Sequence, residues 1–124
     1  MDGVRPILAV DDDDSILDMV QMVLEEEGYR VLLARDGAEA LEMLKATRPE
    51  LILLDMRMPK VNGWQFAEAY RKTPGPHVPI VLVTAGRDAP QAASDAGVSG
   101  YLSKPFDVDQ LIKIVSRFVP IGAS

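Results

Sequence analysis

The sequence predicts an α/β domain in which a parallel sheet carries helices on both faces. Short, continuously apolar runs of strand length alternate with segments whose apolar residues recur at helical spacing, from one end of the chain to the other. Strands alternating with helices throughout imply right-handed βαβ units, and hence parallel strands. The length of 124 residues, with 48% hydrophobic and 26% charged residues, suits a single globular domain with one real core.

The elements follow in order. Ile7-Leu8-Ala9-Val10 reads as the first strand and runs straight into Asp11. Ile16, Leu17, Val20, Val23 and Leu24 then form one helical stripe, over about residues 15–27. Ser15 with Asp18 three residues on suggests its capping box, and Gly28 occupies the place of a C-terminal cap. Tyr29 to Ala34 reads as the second strand. Asp36 caps the next helix, with Glu39 three residues later and a stripe of Ala38, Ala40, Leu41 and Leu44. Arg48-Pro49 ends it.

Leu51-Ile52-Leu53-Leu54 has no polar face, as expected of a central strand covered on both sides, and it stops at Asp55. After a loop from Met58 to Gly63, Phe66, Ala67 and Tyr70 mark a third helix. Ile80 to Val83 is a fourth strand, with Pro79 tolerated at its start. Gly100 to Ser103 is a short fifth strand. Asp107 opens a last helix carrying Val108, Leu111, Ile112, Val115 and Val119, which Pro120 stops. No repeat, linker or charge run divides the chain, so a single domain is expected over residues 1–124, with its core at about 5–119 and no output domain. The interval from Gly86 to Gly97 is the exception to the pattern. It holds Pro90 and only alanines as apolar residues, so its helix is expected to be short, displaced or mobile.

Composition excludes several functions. The chain has no cysteine, which removes disulfide scaffolds, zinc fingers and thiol nucleophiles. Its single histidine, His77, rules out a site with two imidazoles and is expected to be exposed and inert. No apolar run approaches the roughly 18 residues of a membrane span, and Pro6 to Val10 is too short for a signal peptide. A cytoplasmic protein without a membrane partner is the expectation. A net charge of −6 argues against direct nucleic-acid binding, which depends on neutralising phosphates.

Ligands of open α/β sheets bind outside the carboxyl ends of the strands. Strand one ends in Asp11-Asp12-Asp13-Asp14, strand three in Asp55, strand four in Thr84, and Lys104 follows strand five. Carboxylates, a hydroxyl and an ammonium on one edge suit a divalent cation together with a phosphoryl group. Clustered carboxylates repel one another unless something neutralises them. Mg²⁺ takes one or two carboxylates and shares phosphate oxygens. An aspartate there can act as a nucleophile and become an acyl phosphate. Asp13 and Asp14 are read more simply, as acids favoured at a helix N-terminus. Trp64 is expected to be a partly buried residue near the site.

Four stretches, Val10-Asp11-Asp12, Leu54-Asp55-Met56-Arg57-Met58-Pro59, Val83-Thr84-Ala85 and Lys104-Pro105-Phe106, resemble the receiver domain of bacterial response regulators over about residues 5–119. The resemblance implies a flavodoxin-like, five-stranded sheet in the order 2-1-3-4-5 with five helices. It implies that Asp55 is the phosphoacceptor. Asp11, Asp12, Asp55 and the backbone carbonyl of Arg57 would hold Mg²⁺, for which Mn²⁺ is an expected substitute. Thr84, the Ala85 backbone N–H and Lys104 would meet the phosphoryl group, with Lys104-Pro105 often cis in such domains. Tyr101 matches the aromatic that turns inward when the threonine moves. Arg57 and Gly86 fall where such domains tune phosphate lifetime.

The implied partners are a sensor histidine kinase or a histidine phosphotransfer protein, plus a downstream protein that the sequence does not name. The implied state is a monomer or a phosphorylation-dependent dimer. The implied role is a signalling switch rather than an enzyme, though one that assists its own phosphorylation and dephosphorylation.

Rival readings are a phosphatase of the haloacid dehalogenase type, using Asp11 and Asp13, and the receiver portion of a larger DNA-binding regulator. The phosphatase leaves Asp55 without a role and the chain is short for it. A flavin carrier would need a phosphate-cradling loop where four aspartates stand. A calcium loop starting at Asp11 would need glycine where Ile16 stands.

Overall fold

The computed structural model describes residues 6–56, 62–85 and 89–120. Five strands, β1 (Ile7–Val10), β2 (Val31–Ala34), β3 (Leu51–Asp55), β4 (Ile80–Ala85) and β5 (Gly100–Lys104), alternate with five helices. The helices are α1 (Asp14–Glu26), α2 (Gly37–Ala46), α3 (Gly63–Arg71), α4 (Ala89–Ala96) and α5 (Val108–Phe118). All strand pairs are parallel, in the order β2-β1-β3-β4-β5. The chain therefore adds β2 on one side of β1 and β3 on the other, so the connections leave in opposite directions and a crevice opens at the carboxyl ends of β1 and β3.

The two-residue period of the strands sorts their side chains into two cores. Ile7, Ala9, Leu51, Leu53, Val81 and Val83 pack with Leu17, Leu24, Leu111 and Val115 of α1 and α5. Leu8, Val10, Ile52, Leu54, Ile80 and Leu82 pack with Ala40, Phe66, Tyr70 and Ala93 of α2, α3 and α4. The unbroken burial of β1 and β3 is what the continuously apolar runs foretold. Each fully buried Leu, Ile or Phe contributes about 1.5–3 kcal/mol.

Several local expectations are corrected. The N-cap of α1 is Asp13, not Ser15, because the Asp13 carboxylate accepts the Ser15 and Ile16 N–H groups at 2.9 and 3.4 Å. A charged acceptor also gains from the helix dipole, which a hydroxyl does not. Strand β2 begins at Val31, and Tyr29 instead buries its ring and donates its hydroxyl to the Val119 carbonyl at the end of α5. Strands β3, β4 and β5 extend through Asp55, Ala85 and Lys104, so the site residues of these strands lie within the ladder. The inward stripe of α5 is Leu111, Ile114 and Val115, while Val108 is 46% exposed. Ala38 also faces solvent.

Trp64 is 46% exposed rather than partly buried, since it is the second residue of α3 on the side away from Phe66 and Ala67. His77 is exposed but engaged. Its Nε2 lies 2.9 Å from the Thr73 carbonyl and its ring 4.7 Å from that of Tyr70. Helix α4 is the shortest of the five at eight residues, and only small side chains, buried Ala93 and half-buried Ala92, join its core. No helix among the described residues is long and apolar enough to cross a membrane.

Candidate functional site

Strand register assembles the site. Val10 of β1 pairs with Leu54 of β3, so Asp11 and Asp55 leave the sheet at the same level. Asp55 pairs with Val83, Thr84 with Ser103, and Ala85 with Lys104. The polar residues therefore climb one rung at a time across β3, β4 and β5, around one cavity of about 260 Å³. Its walls are Asp11, Asp12, Asp13, Asp55, Met56, Thr84, Ala85 and Lys104.

Asp11 and Asp55 are each only 4% exposed, whereas Asp12 is exposed. One carboxylate oxygen from each of the three lies within 4.8 Å of the others. Lys104 reaches into this group, its Nζ 3.2 Å from Asp55 Oδ1 and 3.5 Å from Asp11 Oδ2. The other Asp11 oxygen accepts the Asp13 N–H at 2.9 Å, which orients the carboxylate. The Thr84 hydroxyl is half-exposed and reaches the neighbouring Ala85 carbonyl at 3.4 Å, a long contact that leaves it free to turn. The Lys104–Pro105 peptide is cis.

Electrostatics follow from burial and charge. Burial pushes the Asp11 carboxyl up, against the Asp13 N–H and Lys104, which pull it down. Burial pulls Lys104 down, but the Asp55 and Asp11 carboxylates together outweigh it and raise the ammonium above its ordinary value. Lys104 is thus a cation throughout the neutral range. Three carboxylates against one ammonium leave a local formal charge of −3 + 1 = −2. Hard oxygen donors with that deficit fit a divalent cation, and Mg²⁺ in particular.

Of the predicted site residues, the structure brings together Asp11, Asp12, Asp55, Thr84, Ala85 and Lys104. Tyr101 sits apart on β5 and is 38% exposed, with its ring outward. Arg57 and Gly86 lie outside the described residues. Two wall residues, Asp13 and Met56, have no site role in the receiver resemblance. Asp13 was read as a helix-end acid, and it does cap α1 while also lining the cavity. Met56 is a buried thioether whose role shows only through Gly63. A Cβ on Gly63 would lie 3.1 Å from Met56 Cα, 3.2 Å from its Sδ and 3.3 Å from the Asp55 carbonyl oxygen. Asn62 and Gln65 cap α3 reciprocally, and the Gly63 N–H donates to the Met56 carbonyl at 3.0 Å, so the start of that helix is held against the exit of β3.

Comparisons with known proteins agree with this architecture. The family profile described as the response regulator receiver domain matches residues 7–116. The response regulator MprA of Mycobacterium leprae is 41% identical over 108 residues, covering 86% of this chain and 47% of that protein. MprA of Mycobacterium ulcerans is 40% identical over the same length. The chain thus spans about half the length of the curated relatives it matches. Among solved structures, the chemotaxis response regulator CheY4 of Vibrio cholerae superposes with a TM-score of 0.85 at 35% identity, covering 93% of this chain and 98% of that one. The receiver domain of NtrX from Brucella abortus gives 0.82 at 28%, covering 95% and 99%. The order of the sheet, the cavity at its carboxyl edge and these matches together make the chain a member of the response regulator receiver-domain family, a family of signalling domains in two-component systems.

Proposed function

We propose that this chain accepts a phosphoryl group from a phosphohistidine donor onto Asp55, and that the added charge alters the surface around β4, β5 and α5 to control a contact with another protein. The observation that carries this reading is the buried Asp55 carboxylate held 3.2 Å from Lys104 in a cavity walled by Asp11, Asp12 and Thr84.

An Asp55 oxygen attacks phosphorus as the P–N bond breaks, and the electron pair leaves on imidazole, which departs neutral when its other nitrogen is protonated. Lys104 holds the carboxylate in place and donates to the phosphoryl oxygens as charge builds on them. The Thr84 hydroxyl and the Ala85 N–H complete the donor set. Asp11, Asp12 and Asp55, with the Arg57 carbonyl, would hold Mg²⁺ or Mn²⁺, which when bound offsets charge on the transferring oxygens. Phosphorylation replaces the single charge of the Asp55 carboxylate with about −1.5 to −2 on the phosphoryl oxygens at neutral pH, placed farther into the cavity, drawing Thr84 and Lys104 inward and giving Tyr101 room to follow. Slow hydrolysis would reset the switch, with Arg57 and Gly86 tuning its lifetime.

The donor would be a sensor histidine kinase or a histidine phosphotransfer protein, and the chain would act as a monomer or as a phosphorylation-dependent dimer. The coverage of only 47% of MprA supports a second reading, in which this domain is the receiver portion of a longer regulator.

Intact-mass spectrometry after incubation with Mg²⁺ and either acetyl phosphate or a phosphohistidine protein tests the chemistry. One phosphoryl adduct is expected, dependent on Mg²⁺ and absent in Asp55→Asn. An adduct that persists in the variant, or none from either donor, would overturn the assignment.

A further inference from the structure

On the other side of the fold, α2 and the loop after α3 leave a groove of about 960 Å³ that shares no wall residue with the phosphoryl cavity. Its existence has a local cause. Helix α2 ends at Ala46, and the extended Thr47 turns the chain away through Arg48-Pro49. Helix α3 ends at Arg71, and Pro74, Gly75 at φ +92° and Pro76 hold the next loop out from the helix. Proline rings fix their own φ, so this wall is stiff and the groove is preformed. Leu41 and Leu44 line it while only partly buried, so a guest would gain apolar contact without displacing core residues.

Its charged groups leave one cation unpaired. The ionisable wall residues Glu42, Lys45 and Arg48 sum to −1 + 1 + 1 = +1, on a chain whose net charge is −6. Lys45 is tied to Glu42 at 2.9 Å, whereas Arg48 has no carboxylate partner among the described residues. Tyr70, only 6% exposed and also in the wall, accepts the Val78 N–H at 2.9 Å. A free guanidinium beside an apolar floor is complementary to an anion with a hydrocarbon body.

We propose that this groove binds a small amphipathic carboxylate, with its apolar part on Leu41 and Leu44 and its charge at Arg48.

The test is an amide NMR titration of the full chain with octanoate, octylammonium and octanol. Octanoate is expected to give saturable shifts from Leu41 to Arg48 and at Thr73 and Gly75. Octylammonium and octanol should bind at least tenfold more weakly. Arg48→Glu, an exposed and fold-neutral change, should weaken octanoate at least tenfold, and Ala69→Trp should fill the groove and abolish the shifts. Phosphorylation of Asp55 should be unchanged in Arg48→Glu. Equal binding of the three probes, octanoate binding indifferent to Arg48→Glu, or shifts confined to other surfaces would each overturn the proposal.

Discussion

Gly63 is the point where helix packing and the acidic cavity depend on the same atoms. In Gly63→Ala, the new Cβ would meet Met56 Cα at 3.1 Å, Met56 Sδ at 3.2 Å and the Asp55 carbonyl oxygen at 3.3 Å. Comfortable contact between carbons begins near about 3.5 Å, so each gap must open by a few tenths of an ångström. The Met56 thioether can rotate away. The other two atoms belong to the β3 backbone and its exit, and the Gly63 N–H itself donates to the Met56 carbonyl at 3.0 Å. The residue that pushes is therefore tied to what it pushes against.

Helix propensity acts in the opposite direction, favouring Ala over Gly by up to about 1 kcal/mol in a helix interior and by less at a first position. Overpacking costs about 1–3 kcal/mol. The expected net loss is about 1 kcal/mol, which lowers Tm by about 4 °C in a domain of this size. Urea unfolding at unchanged m-value measures it. Because one displaced atom is the carbonyl of Asp55, phosphorylation by acetyl phosphate should also slow severalfold, given that misplacement by about 1 Å can cost about a hundredfold. A variant as stable as the parent and equally fast would show that the β3 exit yields freely, and the reasoning would fail.

Three other perturbations probe the same physics. Burial raises the Asp11 carboxyl, so its charged form weakens the fold at every pH above its folded value, and protonation relieves this. Asp11→Asn should accordingly be more stable than the parent at pH 7 in chelator, with the advantage shrinking on acidification. It should also gain less Tm from Mg²⁺, and lower stability at pH 7 would contradict the sign. Lys104→Met removes the cation at 3.2 and 3.5 Å from two carboxylates that are each 4% exposed, and should cost about 3 kcal/mol in metal-free urea titrations at neutral pH. Since the carboxylates raise Lys104, that difference should hold through neutrality and close only in strong alkali. Tyr29→Phe removes the hydroxyl that anchors the Val119 carbonyl and should cost about 1 kcal/mol, seen as earlier exchange of the last α5 amides.

Much of the fold could be read along the chain because its determinants are local. Uninterrupted apolar runs in β1 and β3, and Asp36 and Asp107 one residue before their helices, follow from burial period and capping chemistry alone. The site was legible for a related reason: each of Asp11, Asp55, Thr84 and Lys104 stands at a strand's carboxyl end, and parallel topology sends all such ends to one edge. Misreadings arose where neighbours in space compete. Asp13 outbid Ser15 for the α1 N–H groups. Tyr29 is taken from the strand by a carbonyl 90 residues away, and α5 buries Ile114 while Ile112 packs only partly buried against the same core.

Periodicity and residue chemistry, which need no partner to be recognised, already define a parallel α/β domain with an acidic edge at the carboxyl ends of its strands. How that edge is set depends on packing between distant segments. The rung-by-rung register puts Lys104 between two buried carboxylates, leaves Asp12 open to solvent, and shifts Asp11 and Lys104 in the same direction for opposite reasons. Only tertiary packing, too, backs Asp55 with a glycine eight residues later and opens the α2–α3 groove. Distances, burial and empty space arise between segments remote in sequence, and no local pattern encodes them.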